Sequence, residues 1–333
     1  MKYPDDFINK IIQGDALEVL KQMPDEVVDT IITSPPYWSL RDYGVEGQIG
    51  LEKTPEEYVE KLVNIFREAK RVLKKTGTLW LNLGDSYAGS MKGSNGSGGF
   101  SVKSKVQLGN RGSFVQPPDW KNIRLKPKDL VGIPWRVAFA LQKDGWYLRQ
   151  DIIWAKPNPM PESVTDRCTR SHEYIFLLSK NPKYYFDNDA IKEPAKPQRT
   201  MDGYQARNKR DVWWVSTKPF KEAHFATFPE DLVEPMILAG CPRFVCKKCG
   251  KPRLGKNPVP EKGWQAIKKE IDWTDCCCGV GFEPGIVLDP FMGSGTTAVV
   301  AKKLSRRYIG IELNPEYIKI AEARLQSIPE PLL

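Results

Sequence analysis

No stretch of this 333-residue chain approaches the roughly 18 consecutive apolar residues that a membrane-spanning helix needs. The opening MKYPDDFINKIIQGD also lacks the apolar core of a secretory signal. A cytoplasmic location with no membrane partner is therefore the expectation. Histidine is scarce: His172 and His224 are the only two, and neither is assigned a catalytic role. A lone histidine more often packs or hydrogen-bonds than catalyses. No internal repeat is visible, which excludes solenoid architectures.

What remains is a chain able to bury a sizeable core, with 41% hydrophobic residues and a length that suits one large α/β domain with an insertion, or two domains. Lys plus Arg exceed Asp plus Glu by 50 to 41, a formal charge of +9. That excess fits a polyanionic partner without requiring one. Six of the seven cysteines lie between Cys241 and Cys278, with Cys168 apart. In a reducing compartment such clustering reads as a metal site before it reads as disulfides.

Strands are expected at Ile8–Ile12, Thr30–Thr33 and Thr78–Leu83, with a helix over Thr54–Lys74. That helix carries Tyr58, Leu62, Ile65, Phe66, Ala69 and Leu73 at helical spacing, and Pro55 suits its first turn. A helix at Pro134–Lys143 precedes strands at Tyr147–Trp154 and Glu173–Leu178, the latter pairing with KYYFD. A helix at Pro229–Ala239, a strand at Ile286–Leu288, a helix at Thr296–Leu304, a strand at Tyr308–Ile311 and a helix at Pro315–Gln326 follow. Strands separated by helices predict a parallel, doubly wound sheet.

The stretch 87–128 departs from this pattern: it is Gly- and Ser-rich and carries Lys92, Lys103, Lys105, Arg111, Lys121 and Arg124. So long a segment without periodicity reads as a solvated loop, as a loop that orders on DNA, or as both.

Two motifs carry chemistry. Near the C-terminus, VLDPFMGSGTTAVVAKKL is followed by RRYIGIELN. A strand, a Gly-rich turn and a helix precede a second strand that ends in an acid. Glycines let the backbone approach a ligand, and the helix start offers unpaired N–H groups. An acid at the second strand's end, Glu312, is placed to accept from ribose hydroxyls. No lysine follows the last glycine, so this is not a phosphate-binding P-loop, nor is it the full GxGxxG fingerprint. The second motif, TSPPYW at Thr33–Trp38, ends a predicted strand. Consecutive prolines rigidify the backbone and leave acceptor carbonyls, Ser34 adds another acceptor, and Tyr37 adds a flat ring. That set suits an extruded base, its amino hydrogens held by oxygens and its ring stacked. Trp38 is expected in the core.

TSPPYW followed by DPFMGSGTT resembles the amino-group DNA methyltransferases of the permuted β class, over nearly the whole chain. The resemblance implies an α/β, Rossmann-like S-adenosylmethionine-dependent methyltransferase fold, circularly permuted, with a target-recognition insertion. Residues 1–155 would be the catalytic half, 156–222 the target-recognition region, and 223–240 with 282–333 the cofactor half. GDALEVL resembles the family segment reaching the cofactor adenine, which implies Asp15 there. HFATFPEDL resembles the segment usually written H-P-T-x-K-P, with Phe225 and Phe228 replacing Pro and Lys, and implies a backbone contact at Thr227. IIWAKPNPMPESVTDRCTRSHEYIFLL is also similar to family members. The implied cofactor residues are Asp15, Thr227, Asp289, Pro290, Phe291, Gly293, Ser294, Gly295, Thr296, Thr297 and Glu312; the catalytic ones are Ser34, Pro35, Pro36 and Tyr37.

Serine ahead of PPY is associated mainly with N4-cytosine enzymes and aspartate with N6-adenine enzymes. The resemblance therefore implies a site-specific N4-cytosine methyltransferase acting on double-stranded DNA by base flipping, in restriction-modification. Its only link to a cognate restriction endonuclease would be genetic pairing. N6-adenine methylation is the alternative, and a catalytically inactive zinc-ribbon DNA-binding protein is the reading of another class. Both amino hydrogens, held by the Ser34 side chain and the Pro35 carbonyl, would turn the nitrogen lone pair toward the sulfonium methyl for direct displacement. No cysteine lies near the motif to form a covalent intermediate.

CPRFVCKKCGKPR and DCCCG place a CxxCG knuckle ahead of a second close pair, the spacing of a zinc site. Cys246, Cys249, Cys276 and Cys278 are the expected ligands of a structural Zn2+, with Cys277 and Cys241 as alternatives. Residues 241–281 would then form a small zinc-ribbon-like insertion.

Overall fold

A computed structural model describes residues 1–88, 125–194, 206–218, 227–253, 255–256 and 272–329 of the chain. Most of the 87–128 stretch, together with His224 and Phe225, lies outside the described residues.

The strands are β1 (Lys10–Gln13), β2 (Val28–Thr33), β3 (Leu73–Leu83), β4 (Tyr147–Ala155), β5 (His172–Ser179), β6 (Val212–Trp214), β7 (Ile286–Asp289) and β8 (Arg307–Glu312). They form one 8-stranded sheet in the order β1-β8-β7-β2-β3-β5-β4-β6. From β1 across to β3 all neighbours are parallel; β5 runs antiparallel to both β3 and β4, and β6 lies parallel to β4. The helices are α1 (Ala16–Lys21), α2 (Pro55–Val72), α3 (Ile133–Lys143), α4 (Glu230–Gly240), α5 (Thr296–Lys303) and α6 (Pro315–Gln326).

Strand alternation divides the core in two. Ile31, Leu79 and Leu288 join α1, α2 and α3 residues in one cluster, while Ile32, Trp80 and Val287 join those of α4 and α5 in the other. Helices thus cover both faces of the sheet. α2 shows how local sequence sets this up: the Thr54 hydroxyl caps the Glu57 amide, Pro55 opens the helix, and Tyr58, Leu62, Ile65, Phe66 and Ala69 are buried. The helix ends at Val72, short of the expected Lys74, because Leu73 already pairs with Val28 as the first residue of β3.

One further expectation changes. KYYFD forms no strand beside β5, both of whose edges are filled by β3 and β4. Its backbone bonds elsewhere, Tyr185 N to Thr76 O at 2.8 Å and Asp187 N to Ala239 O at 2.9 Å. Within residues 156–222, β5 and β6 join the central sheet, β5 as expected from the apolar run Glu173–Leu178. No helix among the described residues is long and apolar enough to cross a membrane.

The strand order reverses between β2 and β7. From β2 the chain moves outward to β3, and from β7 it moves to β8 on the other side. Adjacent strands whose connections depart in opposite directions leave a crevice beyond their carboxyl ends, the usual ligand position in open α/β sheets. Asp15, Thr33–Tyr37, Asp289 and Glu312 all fall at that edge, at or just past the ends of β1, β2, β7 and β8.

Candidate active site and metal centre

At the end of β2, Pro35 and Trp38 are buried while Ser34, Pro36 and Tyr37 are half-buried. Trp38 is core, as expected, its indole N–H donating to the Glu52 carbonyl at 3.0 Å. The two proline carbonyls are not equivalent. The Tyr58 hydroxyl from α2 donates to the Pro36 carbonyl at 2.8 Å, whereas no hydrogen bond from the described residues reaches the Pro35 carbonyl. Gly50, at φ +99°, lies under the turn, where a Cβ would stand 3.0 Å from the Tyr37 carbonyl.

The Ser34 and Tyr37 side chains enter a polar network assembled from three other strands' ends. Ser34 Oγ lies 3.2 Å from Asn82 Oδ1 and 3.4 Å from Tyr37 Oη. Tyr37 Oη lies 3.0 Å from Asn82 Oδ1 and donates to Glu173 Oε2 at 2.7 Å. Asn82 Nδ2 donates to Glu173 Oε2 at 3.2 Å and to the Tyr174 carbonyl at 3.1 Å. Lys156 Nζ pairs with Glu173 Oε1 and sits 4.3 Å above the Trp154 ring. Burial of the Tyr37 hydroxyl, and then the Glu173 charge, holds that phenol well above its ordinary pKa, so it stays a donor. The ring rests on Gly84, where a Cβ would come within 2.5 Å of Tyr37 Cε2.

Asn82, Glu173 and Lys156 carry no role in the sequence reading. Asn82 is a 4%-exposed polar residue near the end of the apolar run TLWLNL, and a buried polar side chain in such a run was the available signal. Glu173 and Lys156 lie in segments matched only as resembling the family.

Across the crevice, Asp289 closes β7. Its fully buried carboxylate accepts from Thr33 Oγ1 at 2.6 Å, Thr297 Oγ1 at 2.7 Å and the Phe291 amide at 3.0 Å. Burial outweighs these three donors and pushes its pKa up to about 6. All of these partners are internal, so the carboxylate clamps the turn to β2. Pro290, Phe291, Gly293, Ser294 and Gly295 form the turn, and Thr296 and Thr297 begin α5. Gly293 has φ +54° and open space where a Cβ would be. Gly295 has φ +84°, and a Cβ there would strike Ala321 of α6 at 2.6 Å. Arg324 of α6 braces the turn through the Ser294 carbonyl at 2.7 Å and the Thr296 hydroxyl at 3.1 Å.

Glu312 ends β8 with Oε2 accepting from the Gly293 amide at 2.7 Å and Oε1 from the Asn314 amide at 2.8 Å. Burial raises its pKa. Asp15 caps α1, accepting from the Glu18 amide at 3.1 Å. It sits next to Glu312, since β1 pairs with β8 and Gly14 donates to the Glu312 carbonyl at 3.0 Å. Thr227 is half-buried just ahead of α4, and residues 219–226 before it lie outside the described residues.

The Sγ atoms of Cys246, Cys249, Cys276 and Cys278 all lie within 4.8 Å of one another. A tetrahedral zinc with Zn–S bonds of about 2.3 Å needs sulfurs about 3.8 Å apart, so the donor set fits that ion. The Cys249 and Lys248 amides lower the Cys246 thiol to about 6, while thiol–thiol hydrogen bonds push Cys278 up to about 12. Four neighbouring thiols resist ionising together without a cation between them. Cys241 is buried at the C-cap of α4 and Cys277 is exposed; neither joins the cluster. Val245–Cys246 pairs with Phe282–Glu283 and joins the knuckle to the lead-in of β7.

A family model described as DNA methylase (N6/N4) matches residues 28–323. The type II methyltransferase M.Cfr9I of Citrobacter freundii is 47% identical over 317 residues, covering 95% of this chain and 87% of that protein. M.SmaI of Serratia marcescens, also a type II methyltransferase, is 46% identical over 317 residues, covering 95% and 90%. The solved PvuII DNA methyltransferase (cytosine-N4-specific) aligns with a TM-score of 0.59 at 19% identity, covering 96% of this chain and 87% of that one. A Thermus thermophilus protein complexed with S-adenosyl-L-methionine aligns with a TM-score of 0.54 at 22% identity, covering 96% and 95%. These structural likenesses establish an α/β methyltransferase fold.

Proposed function

Because the chain belongs to the N6/N4 DNA methylase family, we propose that it transfers methyl from S-adenosylmethionine to the exocyclic N4 of cytosine at a specific site in duplex DNA. The carrying observation is that Ser34 Oγ and a Pro35 carbonyl that receives no hydrogen bond from the described residues are neighbours at the end of β2, beside the Gly-rich turn of β7. Two acceptors there match the two hydrogens of an amino group. Serine ahead of PPY favours cytosine over adenine.

The turn fits the cofactor on its own features: open space at Gly293, amides at the start of α5, and an acid beneath them at Glu312. Asp15 and Glu312 would hold the adenosine end, with Thr227 contributing backbone. When bound, S-adenosylmethionine supplies an electrophilic methyl group. Ser34 and Pro35 accept the amino hydrogens and turn the nitrogen lone pair outward, while Tyr37 stacks on the flipped base. Tyr58 and Glu52 hold the loop so that these groups need not reorganise during the reaction.

The cofactor half follows the catalytic half in sequence yet lies beside it in the sheet, which supports the permuted reading. Of 156–222, the parts outside β5 and β6 remain the target-recognition candidate. Ala88 and Lys128–Asp129, which flank residues 89–124 in sequence, exchange hydrogen bonds of 2.8 Å close to Arg167 and Arg170. Lysines and arginines of these segments are assigned to DNA phosphates. Cys246, Cys249, Cys276 and Cys278 hold a structural zinc that staples residues 241–281. The type II relatives support a modification role paired genetically with a restriction endonuclease in the cytoplasm.

Mass spectrometry of nucleosides from DNA treated with the protein and S-adenosylmethionine tests this reading. N4-methylcytosine is expected. N6-methyladenine would keep the family and move the target base, and no methylated product despite bound cofactor would overturn the activity.

A further inference from the structure

Methylation of an amino group leaves a nitrogen with a surplus proton. Ser34 Oγ, the acceptor at that nitrogen, has two onward neighbours. Asn82 Oδ1, at 3.2 Å, belongs to an amide and does not take up a proton near neutral pH. Tyr37 Oη, at 3.4 Å, is a hydroxyl and can pass one on. Tyr37 in turn donates to Glu173 Oε2 at 2.7 Å.

Glu173 is the carboxylate that ends this chain of hydroxyls. Its carboxylate is fixed by Tyr37 Oη, Asn82 Nδ2 and Lys156 Nζ, and its side chain is only 16% exposed. We propose that Glu173 is the terminal acceptor of a hydroxyl relay running from the substrate amino nitrogen through Ser34 Oγ and Tyr37 Oη to Glu173 Oε2.

Atoms and charges balance. One N–H bond breaks as an O–H bond forms on Ser34, whose own proton moves to Tyr37 while the Tyr37 proton moves to Glu173. Both hydroxyls end as they began, the substrate ends neutral, and the carboxylate ends protonated until solvent removes the proton. The buried phenol resists ionising, so it passes the proton on and does not hold a charge. The charged and titratable groups around Glu173 are Tyr37 after β2, Lys156 after β4 and His172 at the start of β5, with Arg170 acting on His172. Burial and the neighbouring Arg170 hold the His172 pKa below its ordinary value, so its charge does not change across the pH range of the test.

The inference rests on the reading of this pocket as an amino-methylating one, and the test separates the two. Single-turnover methyl transfer is measured on preformed protein–cofactor–DNA complexes of wild type, E173Q, Y37F and the double variant between pH 6.5 and 9. Glutamine keeps the shape of Glu173 but accepts no proton, so E173Q should lose roughly 10²- to 10⁴-fold in rate with unchanged cofactor affinity. Its residual rate should rise with pH by about tenfold per unit, as hydroxide replaces the missing acceptor, where wild type is flat. The double variant should be no slower than Y37F, because both cut the same path. A rate for E173Q equal to wild type, or a loss that is flat with pH and additive with Y37F, would overturn the relay. The methylated base is identified separately on wild type, so an adenine product would overturn the cytosine reading and leave the relay standing.

Discussion

Thr33 and Asp289 stand 256 positions apart in the chain and share a hydrogen bond of 2.6 Å. It ties the residue before Ser34 to the residue that opens the Gly-rich turn, so the proposed acceptor pocket and cofactor cradle are referenced to one carboxylate. Removing the hydroxyl in Thr33→Val leaves Asp289 Oδ1 with only the Phe291 amide at 3.0 Å. A stability loss of roughly 1–3 kcal/mol is expected in denaturant unfolding. An unchanged midpoint would show that the clamp carries no energy.

The same carboxylate makes a pH prediction. Burial raises Asp289 from an ordinary 3.8 to about 6, above its value in the unfolded chain. Its contribution to stability is therefore complete below about pH 4 and lost as pH rises through about 6. The shift corresponds to something on the order of 3 kcal/mol. Asp289→Asn should flatten that part of the stability profile, measured by urea unfolding across the interval. A variant curve parallel to wild type would place the titration elsewhere.

Glu312 connects the turn to β8 through the Gly293 amide, at the crevice edge of the sheet. Glu312→Ala should weaken S-adenosylmethionine binding by roughly 10- to 100-fold, the cost of one or two charge-assisted hydrogen bonds. Calorimetric titration measures this directly, and an unaltered dissociation constant removes Glu312 from the cofactor site.

Much of the architecture was legible because periodicity and turn chemistry act locally. The buried stripe Tyr58, Leu62, Ile65, Phe66 and Ala69 appears as expected on α2, and α6 keeps its expected bounds. Expectations failed where a distant partner decided the outcome. Leu73 fits a helix in isolation but becomes strand because Val28 awaits it, and KYYFD loses its place beside β5 to β4. The proposed acceptor tetrapeptide Ser34–Tyr37 could be picked out from its paired prolines flanked by a serine and a tyrosine, and from its resemblance to the family motif. Asn82 left only the weak signal of a polar residue in an apolar run, and Glu173 and Lys156 left none, because Asn82 and Glu173 gain meaning when β3 and β5 bring them against Tyr37 and Lys156 when β4 brings it against Glu173.

Gly84 follows β3 beneath the Tyr37 ring. Gly84→Ala would place a methyl 2.5 Å from Cε2 and displace the ring without touching cofactor residues. Misplacement of a positioning group by about 1 Å can cost on the order of 100-fold in rate. Turnover should fall by about that factor, and stability by about 1–3 kcal/mol from overpacking, while cofactor affinity changes little. Unimpaired turnover would mean that the position of the Tyr37 ring is unimportant to catalysis.

The four-cysteine cluster predicts both a metal content and an asymmetry among the cysteines. Protein purified without added metal should hold about one zinc per chain by elemental analysis, because a closed tetrathiolate set exchanges slowly and has no open position. Cys278→Ser should lose the metal and the local order it supports. Cys277→Ser should keep it, since Cys277 is exposed and outside the cluster although it neighbours two members in sequence. Cys241→Ala should also retain zinc while losing stability, because that thiol is buried against Gly285 at the end of α4 and outside the cluster. Chelation should lower the melting temperature of wild type and Cys277→Ser alike, and leave Cys278→Ser unaffected. Equal metal content in all three variants would remove the cluster as a zinc site and leave the cysteines as buried or solvated thiols.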